Sequence, residues 1–204
     1  MCGRYLIEID EEELKEIIAT AEVNARGRSE QFSFAFRGGE IFPGSVVPVI
    51  AGNNEVRFMT WGFPGIIVNQ PPHINARSET AAASRTFGEA MASRRCLVPA
   101  SGYYEWKTRD KKHKVKYKFT LPSGTMYMAG VYSADGRFAI LTRSAAPDIV
   151  EFHDRMPVIL PKSLLGVWLR ESPHVLKEAI TDLKFAQAEA NDKQPEQMSL
   201  FNQK

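Results

Sequence analysis

The sequence predicts an α+β domain built on a strongly curved antiparallel β-sheet or barrel with peripheral helices. Three observations predict it: short runs alternate apolar and polar residues, turn residues separate them, and only a few stretches carry a helical period. Many sequential strands with few helices leave a curved or closed sheet as the economical way to bury one apolar face. With 204 residues, 44% hydrophobic and 25% charged, the chain can build one substantial core and does not require two. A single domain is therefore expected over residues 1–186, followed by a flexible tail over 187–204.

Residues 3–9 read as the first strand. Asp10 followed by Glu13 forms a capping box for a helix to about Ala21, whose buried stripe is Leu14, Ile17, Ile18 and Ala21. Residues 22–45 show no clear period and carry Gly27, Gly38, Gly39 and Gly44, so a long loop is expected. Residues 46–51 and 55–63 flank Gly52-Asn53-Asn54 as a hairpin, and residues 78–92 read as a helix with Phe87 and Met91 on one face. Strands follow at 96–98, 103–108, 114–121, 125–133 and 137–142, with Pro122-Ser123-Gly124 and Asp135-Gly136 as turns. A last strand at 156–160 and helices at 162–170 and 173–180 close the domain. Beyond about Ala186 no apolar face recurs.

No run of apolar residues reaches membrane-spanning length and residues 1–20 lack a signal-peptide layout, so a cytoplasmic protein is expected, nucleoid-associated if bacterial. The net charge of +2 does not by itself announce nucleic acid. Positive charge is concentrated locally, at Lys107, Arg109, Lys111, Lys112, Lys114, Lys116 and Lys118. There Lys114, Lys116 and Lys118 alternate with Val115, Tyr117 and Phe119, as the solvated face of an edge hairpin would.

The two cysteines, Cys2 and Cys96, give neither a disulfide framework nor zinc-ligand spacing, and no metal is expected. Cys96 sits in an apolar strand and reads as a small hydrophobe. Cys2 has no such setting. A residue that small is compatible with removal of Met1, which would leave an amine and a thiol on adjacent carbons. Unperturbed, these titrate near about 8 and 8.5, so modest tuning would give neutral amine and thiolate. Such a 1,2-aminothiol condenses with an aldehyde to an imine and closes a thiazolidine ring. No cofactor is needed.

Three polar segments lie in apolar surroundings: His73-Ile74-Asn75-Ala76-Arg77-Ser78-Glu79-Thr80, Ser101-Gly102-Tyr103-Tyr104-Glu105-Trp106 and His153-Asp154-Arg155-Met156-Pro157. Together with Met1-Cys2-Gly3-Arg4-Tyr5, Trp61-Gly62-Phe63 and Arg95-Cys96-Leu97-Val98-Pro99-Ala100, they resemble, in order, the motifs of the SOS-response-associated peptidases, now understood as abasic-site processing proteins. The resemblance spans residues 1 to about 170. One departure is Glu40, where many relatives carry asparagine, and no chemistry is assigned to it.

The resemblance implies a positively charged groove that binds single-stranded DNA and delivers an abasic sugar to Cys2, forming a covalent DNA–protein link that protects the lesion in the DNA damage response. Glu105 would act as general acid/base in ring opening and imine formation, and His153 would relay protons. Asn75 would orient the amine or the sugar by hydrogen bonds. Arg4, Arg77, Arg85 and Arg155 would clamp phosphates, with an internal salt bridge as the rival role of Arg155. Trp61 and Phe63, around Gly62, would stack on bases or fill core, and Pro43 would line the groove wall.

Two other functions use the same residues. A Cys-type N-terminal-nucleophile peptidase or hydrolase would employ Cys2, His153 and Asn75. A non-covalent single-stranded DNA binding module would leave Cys2 incidental. In the tail, Gln197-Met198-Ser199-Leu200-Phe201 resembles peptides that dock on the replication sliding clamp, with Gln197 for hydrogen bonding and Met198, Leu200 and Phe201 as apolar anchors. The chain is expected to act as a monomer.

Overall fold

β1 (Arg4–Ile7) and β7 (Gly102–Thr108) pair antiparallel with Tyr5 opposite Tyr103, and this pair carries the first of two sheets. The computed structural model describes residues 2–27, 36–67, 70–109 and 113–188. β2 (Gly39–Ile41) extends the first sheet beside β1, and β8 (Lys114–Thr120) and β12 (Lys184–Gln187) extend it beyond β7. The second sheet contains β3 (Val46–Ala51), β4 (Val56–Trp61), β6 (Arg95–Ala100), β9 (Met126–Tyr132) and β10 (Arg137–Ser144). Because β10 pairs with both β4 and β9, the order β10-β4-β3-β6-β9 returns to β10 and closes a barrel. β5 (Asn75–Arg77) and β11 (Arg155–Pro157) hang on β10.

The expected α+β architecture on a strongly curved sheet is thus the one observed. Most pairings are antiparallel, but β10 runs parallel to β4 and to β5. The two sheets are continuous in chain at β6–β7, where the strand passes from one to the other across Ser101. Gly102 makes that passage possible, since a Cβ there would stand 2.5 Å from the Phe119 carbonyl oxygen. One core joins both sheets: Tyr5, Ile7, Tyr103 and Phe119 of the first meet Val47, Met59, Trp61 and Phe138 of the second. The Tyr5 and Trp61 rings meet edge-on at 5.1 Å across the junction. Full burial of each such side chain stabilises by about 1.5–3 kcal/mol.

α1 (Glu12–Gly27) starts near its expected position but runs past Ala21, because Ala25 continues the buried stripe and Asn24 donates to the Val56 carbonyl at 2.8 Å. Residues 36–45, expected as part of a long loop, hold β2. Residues 78–92 do not form one helix. A 3-10 turn (Ala81–Ala83) is followed by a bend and then α2 (Gly88–Ser93). Ser84 accounts for the break: its hydroxyl accepts from the Thr86 amide at 3.2 Å and its carbonyl from Gly88 at 2.8 Å.

A 3-10 turn (Lys162–Leu164) leads into α3 (Leu165–Arg170), and the segment Pro173–Glu178 is also 3-10 rather than α-helical. The basic hairpin β7–β8 is not an edge, since β12 covers β8 with Phe185 opposite Phe119. β12 carries the sheet to Gln187, one residue beyond the expected domain limit. The clamp-like segment at 197–201 lies outside the described residues. Among those described, no helix is long and apolar enough to cross a membrane.

Candidate functional site

Cys2 lies just before β1 and is 0% exposed. Its position is fixed from the opposite sheet. The Asn75 amide Nδ2 donates to the Cys2 carbonyl at 2.9 Å, and Asn75 itself stands on β5, opposite Ile140 of β10. Trp61 holds the same strand, its indole N–H donating to the Ile74 carbonyl at 2.9 Å. The Cys2 thiol donates weakly to the Arg4 carbonyl at 3.7 Å.

Burial pushes the Cys2 thiol well up, and the Glu105 carboxylate adds to the rise, while the positive amino terminus opposes it. In the form that retains Met1, the thiol is held protonated. Glu105, on β7, is 4% exposed. Burial raises its carboxyl above the usual 4.5; the amino terminus pulls it down and Asp154 pushes it up. A carboxyl so placed can carry a proton nearer neutrality than an exposed one, as a general acid requires.

His153, just before β11, is about one-third exposed. Its Nδ1 accepts from the Arg155 amide at 3.0 Å and also stands 2.7 Å from Asp154 Oδ1. A neutral ring uses the first partner and a protonated ring the second, so each charge state has its own hydrogen bond. Burial, then the amino terminus, lowers His153 below 6.5, and Asp154 works against them. The neutral state is favoured near pH 7, with Nδ1 as acceptor and Nε2 carrying the proton.

Around Cys2 several buried polar atoms have no hydrogen-bond partner among the described residues: Asn75 Oδ1 and the hydroxyls of Tyr5 and Tyr103. Burial and then the neighbouring Cys2 raise both phenols, which keeps them as O–H donors. Unsatisfied buried groups cost stability, so their grouping around Cys2 calls for an explanation such as a role in the chemistry or a bound water or ion. Tyr5 and Tyr103 were not singled out by sequence, where they read as core aromatics.

The arginines divide. Arg77 lies two residues from Asn75 on the same side of β5 and is exposed, as is Arg85 in the bend before α2. Both stand where a passing strand of DNA could reach them. Arg4 is 36% exposed and pairs with Glu40 rather than Glu105: its Nη1 donates to Glu40 Oε1 at 3.0 Å. Arg155 takes the rival role. Its guanidinium binds Glu79 with both ends, at 2.8 and 2.7 Å, and donates to the Thr142 carbonyl at 2.6 Å, bracing the turn after Arg77. Glu79 is held down to about 2, first by the hydrogen bond from Arg155.

The aromatic candidates also sort. Trp61 is 1% exposed and Phe63 5%, so both fill core instead of stacking on bases. Trp61 stacks on Phe138 at 6.4 Å, and Phe63 packs on Phe87 at 5.1 Å. Gly62 between them has φ +143°, and a Cβ would approach Pro72 at 3.0 Å, which explains glycine there. Pro43 is exposed in the turn after β2, beside the Phe42 ring on which Arg4 lies at 3.9 Å.

Within the basic segment three of the lysines are paired: Lys107 with Glu151, Lys118 with Glu8 and Lys116 with Glu40. Cys96 is the buried small residue expected, its thiol raised by burial. No group of His, Cys, Asp and Glu among the described residues is arranged to hold a metal. Besides Tyr5 and Tyr103, sequence reasoning assigned no site role to Glu40, Lys116 or Asp154. Glu40 meets Arg4 and Lys116 across strands, which no local pattern signals, whereas Asp154 is next to its partner His153.

Residues 1–197 match the family model described as SOS response associated peptidase (SRAP). The chain is 36% identical over 130 residues to the abasic site processing protein YobE of Bacillus subtilis, covering 57% of this chain and 59% of that one. It is 30% identical over 142 residues to the abasic site processing protein YedK of Escherichia coli, covering 64% of each. The alignments thus span less than two thirds of these relatives' lengths. The fold is similar to the crystal structure of a phage-related protein from Bordetella bronchiseptica, with TM-score 0.71 and 22% identity over 92% of this chain and 94% of that one. The chain belongs to the SOS response associated peptidase family.

Proposed function

We propose that this chain captures abasic sites in single-stranded DNA by covalent reaction at Cys2 after loss of Met1. The observation that carries the reading is the convergence on Cys2 of Asn75 and Glu105 from separate sheets, with His153 coupled to the same amino terminus. The names of the relatives YobE and YedK, abasic site processing proteins, support the substrate class.

The chemistry follows from the groups. Ring opening of the abasic sugar gives an aldehyde, with the raised Glu105 carboxyl supplying the proton to the departing ring oxygen. The Cys2 amine adds to the carbonyl carbon, and the resulting carbinolamine loses one water to form an imine. The Cys2 sulfur then bonds to the imine carbon and its proton passes to the nitrogen. Amine, thiol and aldehyde thus become one thiazolidine plus one water. Neutral His153 receives and returns protons in the addition and dehydration steps.

Asn75 holds the Cys2 carbonyl, so the backbone that bears both nucleophiles is fixed before the sugar arrives. Fixing both reactants is worth up to ~7–11 kcal/mol relative to free encounter. The same arrangement explains why Met1 must leave: an acylated nitrogen cannot form an imine, and the thiol of the longer chain is buried and protonated. Arg77 and Arg85 are assigned to phosphates, and Trp61 and Arg155 to holding β5 and its following turn. The test is crosslinking of a single-stranded abasic oligonucleotide by the wild-type chain and by Cys2→Ala. A heat-stable adduct is expected only from the first, and an equal yield from the second would overturn the proposal.

A further inference from the structure

On the outer face of the first sheet, Glu40 is a carboxylate shared by two cations. Its Oε1 accepts from Arg4 Nη1 at 3.0 Å and its Oε2 from Lys116 Nζ at 2.7 Å. The carboxylate is only 4% exposed, whereas Arg4 is 36% and Lys116 22% exposed. The three residues come from β2, β1 and β8, so no local motif announces them.

Both cations rest on aromatic rings. The Arg4 guanidinium lies 3.9 Å from the Phe42 centroid and 5.7 Å from that of Trp106, and Lys116 Nζ lies 3.8 Å from that of Tyr104. Ring faces are negative, so they hold the cations in place without neutralising them. Two cations and one carboxylate leave a net positive charge, two residues along the chain from Cys2. A guanidinium carries five N–H donors, and Glu40 accepts from the one at Arg4 Nη1.

We propose that Glu40 sets the affinity of an Arg4–Lys116 phosphodiester site: it holds the cations side by side, and a backbone phosphate binds against its opposing charge. This rests on the proposed DNA-binding function and adds to it a phosphate contact, Lys116, and a positioning residue, Glu40. Two effects of opposite sign compete. The carboxylate orients Arg4, which favours phosphate, and it lowers the local positive potential, which disfavours phosphate. Glutamine separates them. Its amide oxygen still accepts from Arg4, but it carries no charge, and its N–H groups cannot accept from Lys116.

Removing one negative charge about 6 Å from a bound phosphate strengthens binding by about threefold in a water-like dielectric. Glu40 therefore weakens attachment to undamaged and damaged strands alike, and discrimination falls to the covalent step. A protein that scans single strands gains by leaving intact ones quickly.

The experiment is fluorescence anisotropy of the full chain with a labelled oligothymidylate that contains no lesion, at several salt concentrations. Wild type, Glu40→Gln, Lys116→Met and the double variant are compared, with melting temperatures recorded for each. Glu40→Gln is expected to bind about threefold tighter, with a steeper log–log salt slope as Lys116 passes from its ion pair to the phosphate. Lys116→Met is expected to bind more weakly with a shallower slope, and in the double variant the gain from glutamine should shrink.

Unchanged affinity and slope in Glu40→Gln, even with a lowered melting temperature, would reduce Glu40 to a structural ion pair and overturn the proposal. Weaker binding would overturn it too. The outcome is separable from that of the covalent reading: crosslinking by wild type with an unmoved slope in Glu40→Gln defeats this inference alone. A moved slope without any crosslink defeats the covalent reading alone.

Discussion

Asn75 Nδ2 donates to the Cys2 carbonyl at 2.9 Å, so Cys2, the proposed nucleophile, is held by a strand of the opposite sheet. If this bond fixes the attack geometry, Asn75→Ala should slow crosslinking at saturating DNA by up to about 10²-fold, the cost of a displacement near 1 Å. Affinity for undamaged DNA should change little. Single-turnover rates against DNA concentration make the distinction, and a loss confined to affinity would contradict the assignment.

Glu105→Gln removes the proton carried by the raised carboxyl but keeps its shape. Crosslinking should fall by about 10²–10⁴-fold with near-normal binding. Arg77→Ala should do the reverse, weakening binding and flattening its salt slope by about 0.7. Equal loss of affinity in both variants, with normal rates once saturated, would show that the roles are wrongly divided.

The pH profile has a predictable direction. In the proposed mechanism neutral His153 is the base, so the rate should fall as pH drops through its lowered value. Protonated Glu105 is the proposed acid, so the rate should fall again as pH rises through its raised value. Asp154 raises both groups. Asp154→Asn removes that influence, both titrate lower, and the whole profile should move to lower pH, only slightly because Asp154 is 76% exposed and screened. Rates measured between about pH 5 and 8 check it. A shift upward would contradict it.

Arg155 and Glu79 concern stability rather than chemistry. Glu79 is depressed from 4.5 to about 2, so its pairing contributes fully above 4.5 and is lost as pH falls toward about 2. Arg155→Met should lower stability at neutral pH by about 1–3 kcal/mol, because buried acceptors lose a charged donor. It should also flatten the acid dependence in that window. Urea melts at several pH values test this, and an unchanged acid slope would assign it to other carboxylates.

Much of this was legible in the sequence because local pattern and final environment agree there. The hairpin β3–β4 and strands β6 to β10 follow from two-residue alternation between turn residues; Cys2 was picked out by its place after Met1, and Asn75, Glu105 and His153 only by the resemblance of their motifs to the family's. What was missed depends on distant partners. β12 has exposed side chains and only Phe185 to anchor it, so no period marks it. The break before α2 rests on Ser84 hydrogen bonds that helix propensity cannot anticipate. Trp61 and Phe63 have the character of stacking residues, and only the fold shows that Trp61 fills the core between the sheets and Phe63 packs under Phe87 beside α2. Glu40 meets Arg4 and Lys116 across strands, 36 and 76 residues away in sequence.

Covalent capture at a freed Cys2 amine is tested most directly by intact-mass analysis of the wild-type chain mixed with a single-stranded abasic oligonucleotide. The account predicts one adduct whose mass is that of the chain without Met1, plus the oligonucleotide, less one water, and no adduct on chains that retain Met1. An adduct on the Met1-bearing chain, or of equal yield on Cys2→Ala, would contradict it.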